Sequence, residues 1–487
     1  MYITFKNLTI VCSTLIILSS ATCINPPNKK DQEKKESPSR TASITEWTVM
    51  VFMNGDNNLE PAALEDFQEM SKIGSNDRVN IIAQMDLIGK YMNVGWTQTL
   101  RFRIAQGMNP TPQNAILDLG EANMGDPKIL NDFVSWSITN YPSKKYALVI
   151  WDHGQGYRLI QPNLSISKEI KAYLTNVQDS LFEHKSTSPI IQDENSFTNN
   201  IHILGGDPFR SSMLSPFRSC SNDETSNDEL YNREIQDGLL SALHGKKLEI
   251  LGFDACLMAM VETGYAMRNV TNNLVGSEEL EPNEGWQYDD WLSKLLNNPT
   301  MDGQELSKIL VDSYRTSSGN YSTNTLSAVD LTTFESVAEE ISRFAISLKS
   351  KLSTELLAIS KARKECAVYA PNSYAENPPK DYFYHIDFVK FCDQLIYNTH
   401  NAQLKTDAEN VKSAILKIIL DNYRGDLRKE SFGSNGLAIY FPESNTQYKG
   451  DKFEKGGYKK TNTYYPVEFV QNHKWADFLH EYFKLVP

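Results

Sequence analysis

Apolar residues in this chain follow two rhythms. Short unbroken runs rich in β-branched and aromatic residues occur at Trp47–Met53, Val79–Asp86, Tyr146–Trp151 and Leu248–Phe253. Runs of that length predict strands buried on both faces. Between them, residues 59–73, 127–141 and 230–243 repeat apolar positions at helical spacing. Strands alternating with helices predict an α/β fold, a mostly parallel sheet flanked by helices on both faces. Residues 97–105 alternate and suit an edge strand, 257–268 have helical spacing, and 273–277 suit a short strand. Farther on, the pattern predicts helices over 303–316, 333–352, 408–423 and 475–485 and strands over 325–331 and 436–441. This C-terminal half shows no reactive constellation of its own and is expected to complete the sheet and pack beside it.

The rhythm breaks in two places. The apolar run Leu8–Leu18 follows a single cation, Lys6, and precedes the small residues Ser19-Ser20-Ala21-Thr22. It is too short for a stable membrane span and has the layout of a secretory signal, here residues 1–22. Cys23 stands where a bacterial lipoprotein carries its lipid, although Thr22 is not the favoured residue before it. The expected product is exported and held at a cell envelope through Cys23, with plain secretion as the alternative. Residues 23–45, rich in Pro, Lys, Glu and Ser, lack an apolar period and read as a flexible stalk. The second break, residues 159–228, is dominated by Ser, Asn, Asp, Thr and Pro and interrupts a domain read over 46–300. A polar segment that long is functional or disordered. Residues 301–487 form the remaining region.

The formal charge of −13 argues against a nucleic-acid partner. Six cysteines, Cys12, Cys23, Cys220, Cys256, Cys366 and Cys392, include no CxxC pair. That spacing suggests neither a zinc site nor a disulfide scaffold, and a pairing of Cys366 with Cys392 stays open.

Two of the buried runs end at reactive side chains. One continues into Asp152-His153-Gly154 and the other into Asp254-Ala255-Cys256. In an open α/β sheet, reactive groups sit just past the carboxyl ends of strands. An imidazole and a thiol brought together there make a nucleophile with its proton carrier. Cys256 at a strand-to-helix junction would have its thiol pKa lowered by helix amides. Gly154 admits close backbone approach, and the amides of Gly154 and Cys256 form the expected oxyanion site.

At this point the residues resemble a known family. Trp151-Asp152-His153-Gly154 and Phe253-Asp254-Ala255-Cys256-Leu257-Met258 are similar to the catalytic motifs of clostripain-like cysteine peptidases, in the clan of caspases, legumains, gingipains and separases. Thr48–Leu59, Ser277-Glu278 with Gly285-Trp286, and Ser434–Pro442 also resemble that family, so the likeness runs over residues 46–487. It implies a caspase-like fold, a catalytic dyad of His153 and Cys256, and cleavage of proteins or peptides after arginine or lysine. A cationic side chain needs an acid at the base of its pocket. Asp254 is the first candidate, with a strand-end structural role as its alternative, and Glu284 is the second. A Glu at 284 would narrow the pocket and shift the arginine/lysine preference. The resemblance also implies self-cleavage between His153 and Cys256. Arg158, Lys168, Lys171, Lys185, Arg210 and Arg218 are candidate sites in a segment that is either a removable cover or a variable insertion.

No cofactor is required by this chemistry. Calcium is a candidate activator, since some members respond to it. Asp223-Glu224, Asp228-Glu229 and Glu278–Glu284 supply oxygens but match no calcium-loop pattern, and solvated acidic faces are the expected reading. Two rivals share the fold: a catalytically silent surface binding protein, and a thiol transpeptidase or acyltransferase using the same dyad.

Overall fold

A computed structural model describes residues 44–154, 220–317, 323–366, 368–369, 384–426, 433–445, 448, 458 and 467–486. The signal and stalk through residue 43, Cys23, and the candidate cleavage sites Arg158, Lys168, Lys171, Lys185, Arg210 and Arg218 lie outside the described residues.

The strands are β1 (Thr45–Gly55), β2 (Val79–Leu87), β3 (Leu100–Arg103), β4 (Leu117–Asp118), β5 (Ser143–Trp151), β6 (Cys220–Asp223), β7 (Asp228–Leu230), β8 (Leu248–Asp254), β9 (Thr271–Gly276), β10 (Thr325–Asp330), β11 (His385–Asp387), β12 (Ile419–Arg424) and β13 (Ala438–Tyr440). Nine form one sheet in the order β12-β10-β9-β8-β5-β1-β2-β3-β4. The central five, β9-β8-β5-β1-β2, are parallel. β10 and β12 on one side, and β3 and β4 on the other, run antiparallel. This is the expected α/β class, a mostly parallel sheet of caspase-like form.

The central strands are apolar throughout because both faces are covered. Met50, Phe52, Leu148, Ile150, Leu251 and Phe253 point into one core, with helices Pro127–Asn140, Asn232–Leu243 and Phe334–Ser350. The alternate residues Val49, Val51, Ala147, Val149, Trp151 and Ile250 point into the other, with helices Glu60–Ile73, Tyr288–Asn297 and Gly303–Ser317. The C-terminal region completes the sheet through β10 and β12, as the apolar pattern suggests.

Three local expectations change. The helix expected to begin at Leu257 begins at Val261, because Leu257 has φ +63° and Met260 is pulled into a parallel bridge with Ala438. The helix expected over 408–423 spans Ala402–Ile418, and the residues after it form edge strand β12 against β10. The end of the polar segment 159–228 is structured: β6 and β7 make a hairpin that buries Ser221, Asn222, Asp223 and Glu229 and puts only Cys220 and Leu230 into the core, so apolar alternation could not reveal it. No helix among the described residues is long and apolar enough to cross a membrane.

Candidate active site

The register of β5 on β8 pairs Trp151 with Asp254. His153 and Cys256 therefore each stand two residues past a matched pair, on neighbouring strands, at the carboxyl edge. The strand order turns back between β1 and β5, so this edge also forms the crevice of a doubly wound sheet. The Asp152 amide donates to the Asp254 carbonyl at 3.3 Å, extending the pairing one step beyond the strands. Gly154 then packs on the Cys256 backbone: a Cβ there would stand 2.2 Å from the Cys256 carbonyl oxygen. Only glycine permits that approach.

Asp152 is buried and fixes this loop. Its carboxylate accepts from the His153 amide at 2.5 Å, from Asn57 Nδ2 at 2.8 Å and from the Asn222 amide. His153 Nε2 lies 2.9 Å from Asn58 Oδ1, on the loop after β1. The imidazole keeps an edge toward solvent but is surrounded by protein, and desolvation pushes its pKa down to about 4.

Cys256 sits on a turn, five residues before its helix starts. Helix amides therefore do not activate the thiol as its sequence position suggested. Burial instead pushes its pKa up to about 12, opposed by amides aimed at the sulfur. The Glu281 amide donates to Sγ at 3.2 Å, and those of Gly154 and Cys256 also point at it. The turn is held by the Leu257 amide on Glu279 O at 3.1 Å and by a fully buried Leu257 side chain. Holding a branched residue at positive φ costs on the order of 1–2 kcal/mol, and such conformations cluster at functional sites.

Asp254 is buried, and its Oδ2 accepts from Tyr288 Oη at 3.0 Å and the Trp286 amide at 3.3 Å. Desolvation raises its pKa to about 7. The Glu281 carboxyl lies against it and is raised well above the usual range, by desolvation and by Asp254. Asp66, which accepts from Trp151 Nε1 at 2.6 Å, is raised by the same causes. The partners of Asp254 and Asp66 are thus neutral donors rather than lysine or arginine.

Glu284 is exposed, at the tip of the turn closed by the Gly285 amide on Pro282 O at 3.0 Å. The carboxyl set against Asp254 belongs to Glu281, which sequence reasoning passed over inside the acidic run. The Pro-Asn-Glu-Gly turn signal was the available clue, because it marks 284 as a tip. Gly285, at φ +52°, is needed for close approach, since a Cβ would come 2.9 Å from Asp254 Oδ1. Asn58 was likewise missed as a side chain reaching His153. The acidic run is not a solvated face: Glu278, Glu279 and Glu281 are all buried. Glu278, for example, accepts from the Gly436 amide at 2.9 Å. Cys220, Cys256, Cys366 and Cys392 are free thiols, so Cys366 and Cys392 are unpaired.

A mostly parallel sheet with a histidine and a cysteine at adjacent strand ends fits the class that the sequence motifs resemble, a cysteine peptidase of caspase-like fold. The sequence model of the Clostripain family matches residues 51–192 and 205–482, and the chain belongs to that family, whose members are cysteine endopeptidases. It is 26% identical to clostripain of Hathewaya histolytica over 496 residues, covering 91% of this chain and 84% of that protein. Its fold is similar to a secreted C11 cysteine protease from Bacteroides thetaiotaomicron solved with an irreversible peptide inhibitor, with TM-score 0.54, 15% identity, and 89% and 99% of the two chains covered. It is also similar to an inactive zymogen C11 protease from Parabacteroides distasonis, with TM-score 0.55, 14% identity, and 90% and 99% covered.

Proposed function

We propose that this peptidase cuts after arginine or lysine with Cys256 as nucleophile and His153 as proton carrier. The Trp151–Asp254 register carries the proposal, because it sets His153, Cys256 and Asp254 at one edge. Supporting it, the buried Asp254 and Glu281 carboxyls lie against each other beside Cys256, whose Sγ accepts from the Glu281 amide. A guanidinium or ammonium group entering there would replace the repulsion between two carboxyls with charge-assisted bonds.

The resting pair is a neutral thiol and a neutral imidazole. If Nε2–H donates to Asn58 Oδ1, Nδ1 carries the basic lone pair. Sγ attacks the scissile carbonyl carbon while its proton passes to His153. The oxyanion is received by the Gly154 and Cys256 amides. The C–N bond then breaks, His153 protonates the departing amine, and a thioester remains. Water gives a proton to His153, attacks the thioester, and frees the acid and the thiol.

Export follows from the signal layout and agrees with the relative described as secreted. Lipid attachment at Cys23 and activation by a cut between His153 and Cys256 belong to the same proposal. The signal layout supports the first, and the zymogen form of one structural neighbour motivates the second. Fluorogenic peptides ending in Arg, Lys or Ala, given to wild type and Cys256→Ala, test the reading. Cleavage of only the basic peptides, and only by wild type, is expected. No cleavage by a nicked wild type would favour a silent binding protein, and amine-capped products in place of acids would favour a transpeptidase.

A further inference from the structure

Two buried carboxyls that the chemistry above leaves unused meet beside the Cys256 turn. Glu278 lies in the loop after β9, and Asp387 ends β11 in the C-terminal region. Two successive amides of one segment grip them. The Asn435 amide donates to Asp387 Oδ2 at 2.6 Å, and the Gly436 amide donates to Glu278 Oε2 at 2.9 Å. Neighbouring amide nitrogens stand no more than about 4 Å apart. The segment therefore sets the two carboxyls side by side, within hydrogen-bonding reach of each other. Asp387 Oδ1 also accepts from Asn435 Nδ2 at 2.8 Å and from the Lys390 amide at 2.5 Å.

The titratable groups facing the pair are the Tyr369 hydroxyl, which donates to Ser434 Oγ at 2.9 Å, and the buried thiols of Cys366 and Cys392. His385 stands two residues back on β11, with its ring against Tyr440. Of the cations on the same segments, Arg424 is taken up by Ser434 O at 2.9 Å and Asn435 Oδ1 at 3.3 Å, and the Lys390 stem runs beside Gly433. Two carboxyls in contact in a buried site do not both ionise. Burial raises Asp387 to about 6. Burial and the Asp387 charge raise Glu278 well above the usual range. Asp387 thus ionises first, and Glu278 keeps a proton to donate to it.

The loop that carries Glu278 also holds the thiol. Its Ser277 and Glu279 carbonyls accept from the Ala259 and Leu257 amides at 2.8 and 3.1 Å, and its Glu281 amide donates to Cys256 Sγ at 3.2 Å. Thr325 Oγ1 on β10 accepts from the Glu278 and Glu279 amides at 3.0 and 3.1 Å, so the sheet supplies one tie and the Glu278 carboxyl a second. Leu257, Met260, Tyr369 and Ala438 form a small apolar cluster against Cys256 that joins the same two regions. We infer that Glu278 and Asp387 share one proton and are positioning residues for Cys256, tying the thiol's loop to the C-terminal region. The inference rests on Cys256 being the nucleophile. The pair acts through the loop and not on substrate. Losing the proton at alkaline pH sets two like charges against each other. The folded chain holds this proton more tightly than the unfolded one. The stability it gives is therefore fully present below the ordinary glutamate range and is lost as pH rises through the raised Glu278 value.

The test compares wild type with Glu278→Gln and Glu278→Ala in the full mature chain. Values of kcat and KM for an arginine peptide are measured from about pH 6 to about pH 10. Infrared spectra at neutral pH are recorded with Cys256→Ala added to each, so that arm does not depend on the peptidase assignment. Glu278→Ala should lower kcat by about tenfold or more with KM nearly constant, as loss of an orienting partner does. Glu278→Gln, whose amide can donate to Asp387 in place of the proton, should restore kcat to within about threefold of wild type. Wild-type kcat should fall at alkaline pH, and Glu278→Gln should abolish that fall and remove one protonated-carboxyl band. A spectrum unchanged by Glu278→Gln overturns the shared proton. A flat wild-type profile, or an alkaline fall that survives Glu278→Gln, overturns the titrating tie. A folded Glu278→Ala with wild-type kcat overturns the positioning role. If wild type cuts no peptide while the band is still lost, the peptidase reading fails and the shared proton stands.

Discussion

Two acid clusters flank the catalytic loop, and they differ in how their charge is satisfied. Around Asp254, neutral donors from Tyr288, Trp286 and Trp151 hold the Asp254 and Asp66 carboxyls, and the buried Glu281 carboxyl lies against Asp254. Such a site can idle with a shared proton and release it when a cationic side chain arrives. Around Asp56 and Asp86, four acids from four separate segments converge, with Thr225 and Thr99 beside them. The two clusters thus differ in how many chain segments supply their acids and in how closely they lie to Cys256.

Removing the nucleophile gives the largest expected effect. Cys256→Ala should lower kcat/KM by at least about 1,000-fold, the scale on which loss of a nucleophile leaves only binding and the oxyanion site. Next comes Asp254→Asn. Leaving a buried cation without its charged partner costs about 2–4 kcal/mol, which is about 30- to 1,000-fold in kcat/KM for an arginine peptide. A neutral peptide should be nearly unaffected. An equal loss on both peptides would make Asp254 the structural strand-end residue instead.

The pH profile sharpens the same contrast. The Asp254 carboxyl, at about 7, is protonated and uncharged below that pH. For arginine peptides kcat/KM should therefore fall as pH drops through 7, approaching about tenfold per pH unit. His153, at about 4, remains a neutral base over most of that range and does not produce the loss. A profile that stays flat from pH 8 to pH 5 would deny Asp254 its role in binding. Asn58→Ala should lower kcat by on the order of tenfold while leaving KM nearly constant, as loss of an imidazole's orienting partner does. Glu284→Gln should change little, by less than about twofold, because charges at exposed turns contribute weakly. Glu281→Gln, altering the buried partner of Asp254, should shift the arginine/lysine ratio more.

The sheet was legible because β1, β2, β5 and β8 are buried on both faces and read as unbroken apolar runs. His153 and Cys256 were legible because each directly follows such a run. Glu281 was hidden, since its role depends on a turn that throws Glu284 outward and draws Glu281 inward. Asn58 reaches His153 only after β1 and β5 pair. Asp56, Asp86, Glu121 and Asp223 are spread over about 170 residues and meet only through sheet topology, so no local pattern could announce them. The activated thiol expected from a helix start failed for a local reason: Leu257 turns the chain at positive φ before the helix forms.

The most direct measurement traps the nucleophile. Wild-type protein is treated with a peptide acyloxymethyl ketone ending in arginine, or with its alanine counterpart, and the labelled residue is mapped by mass spectrometry. Labelling at Cys256, rapid with arginine, slow with alanine, and evened out by Asp254→Asn, is the predicted result. Modification of Cys220, Cys366 or Cys392 in its place, or equal rates for the two peptides, would contradict a thiol beside an acidic pocket.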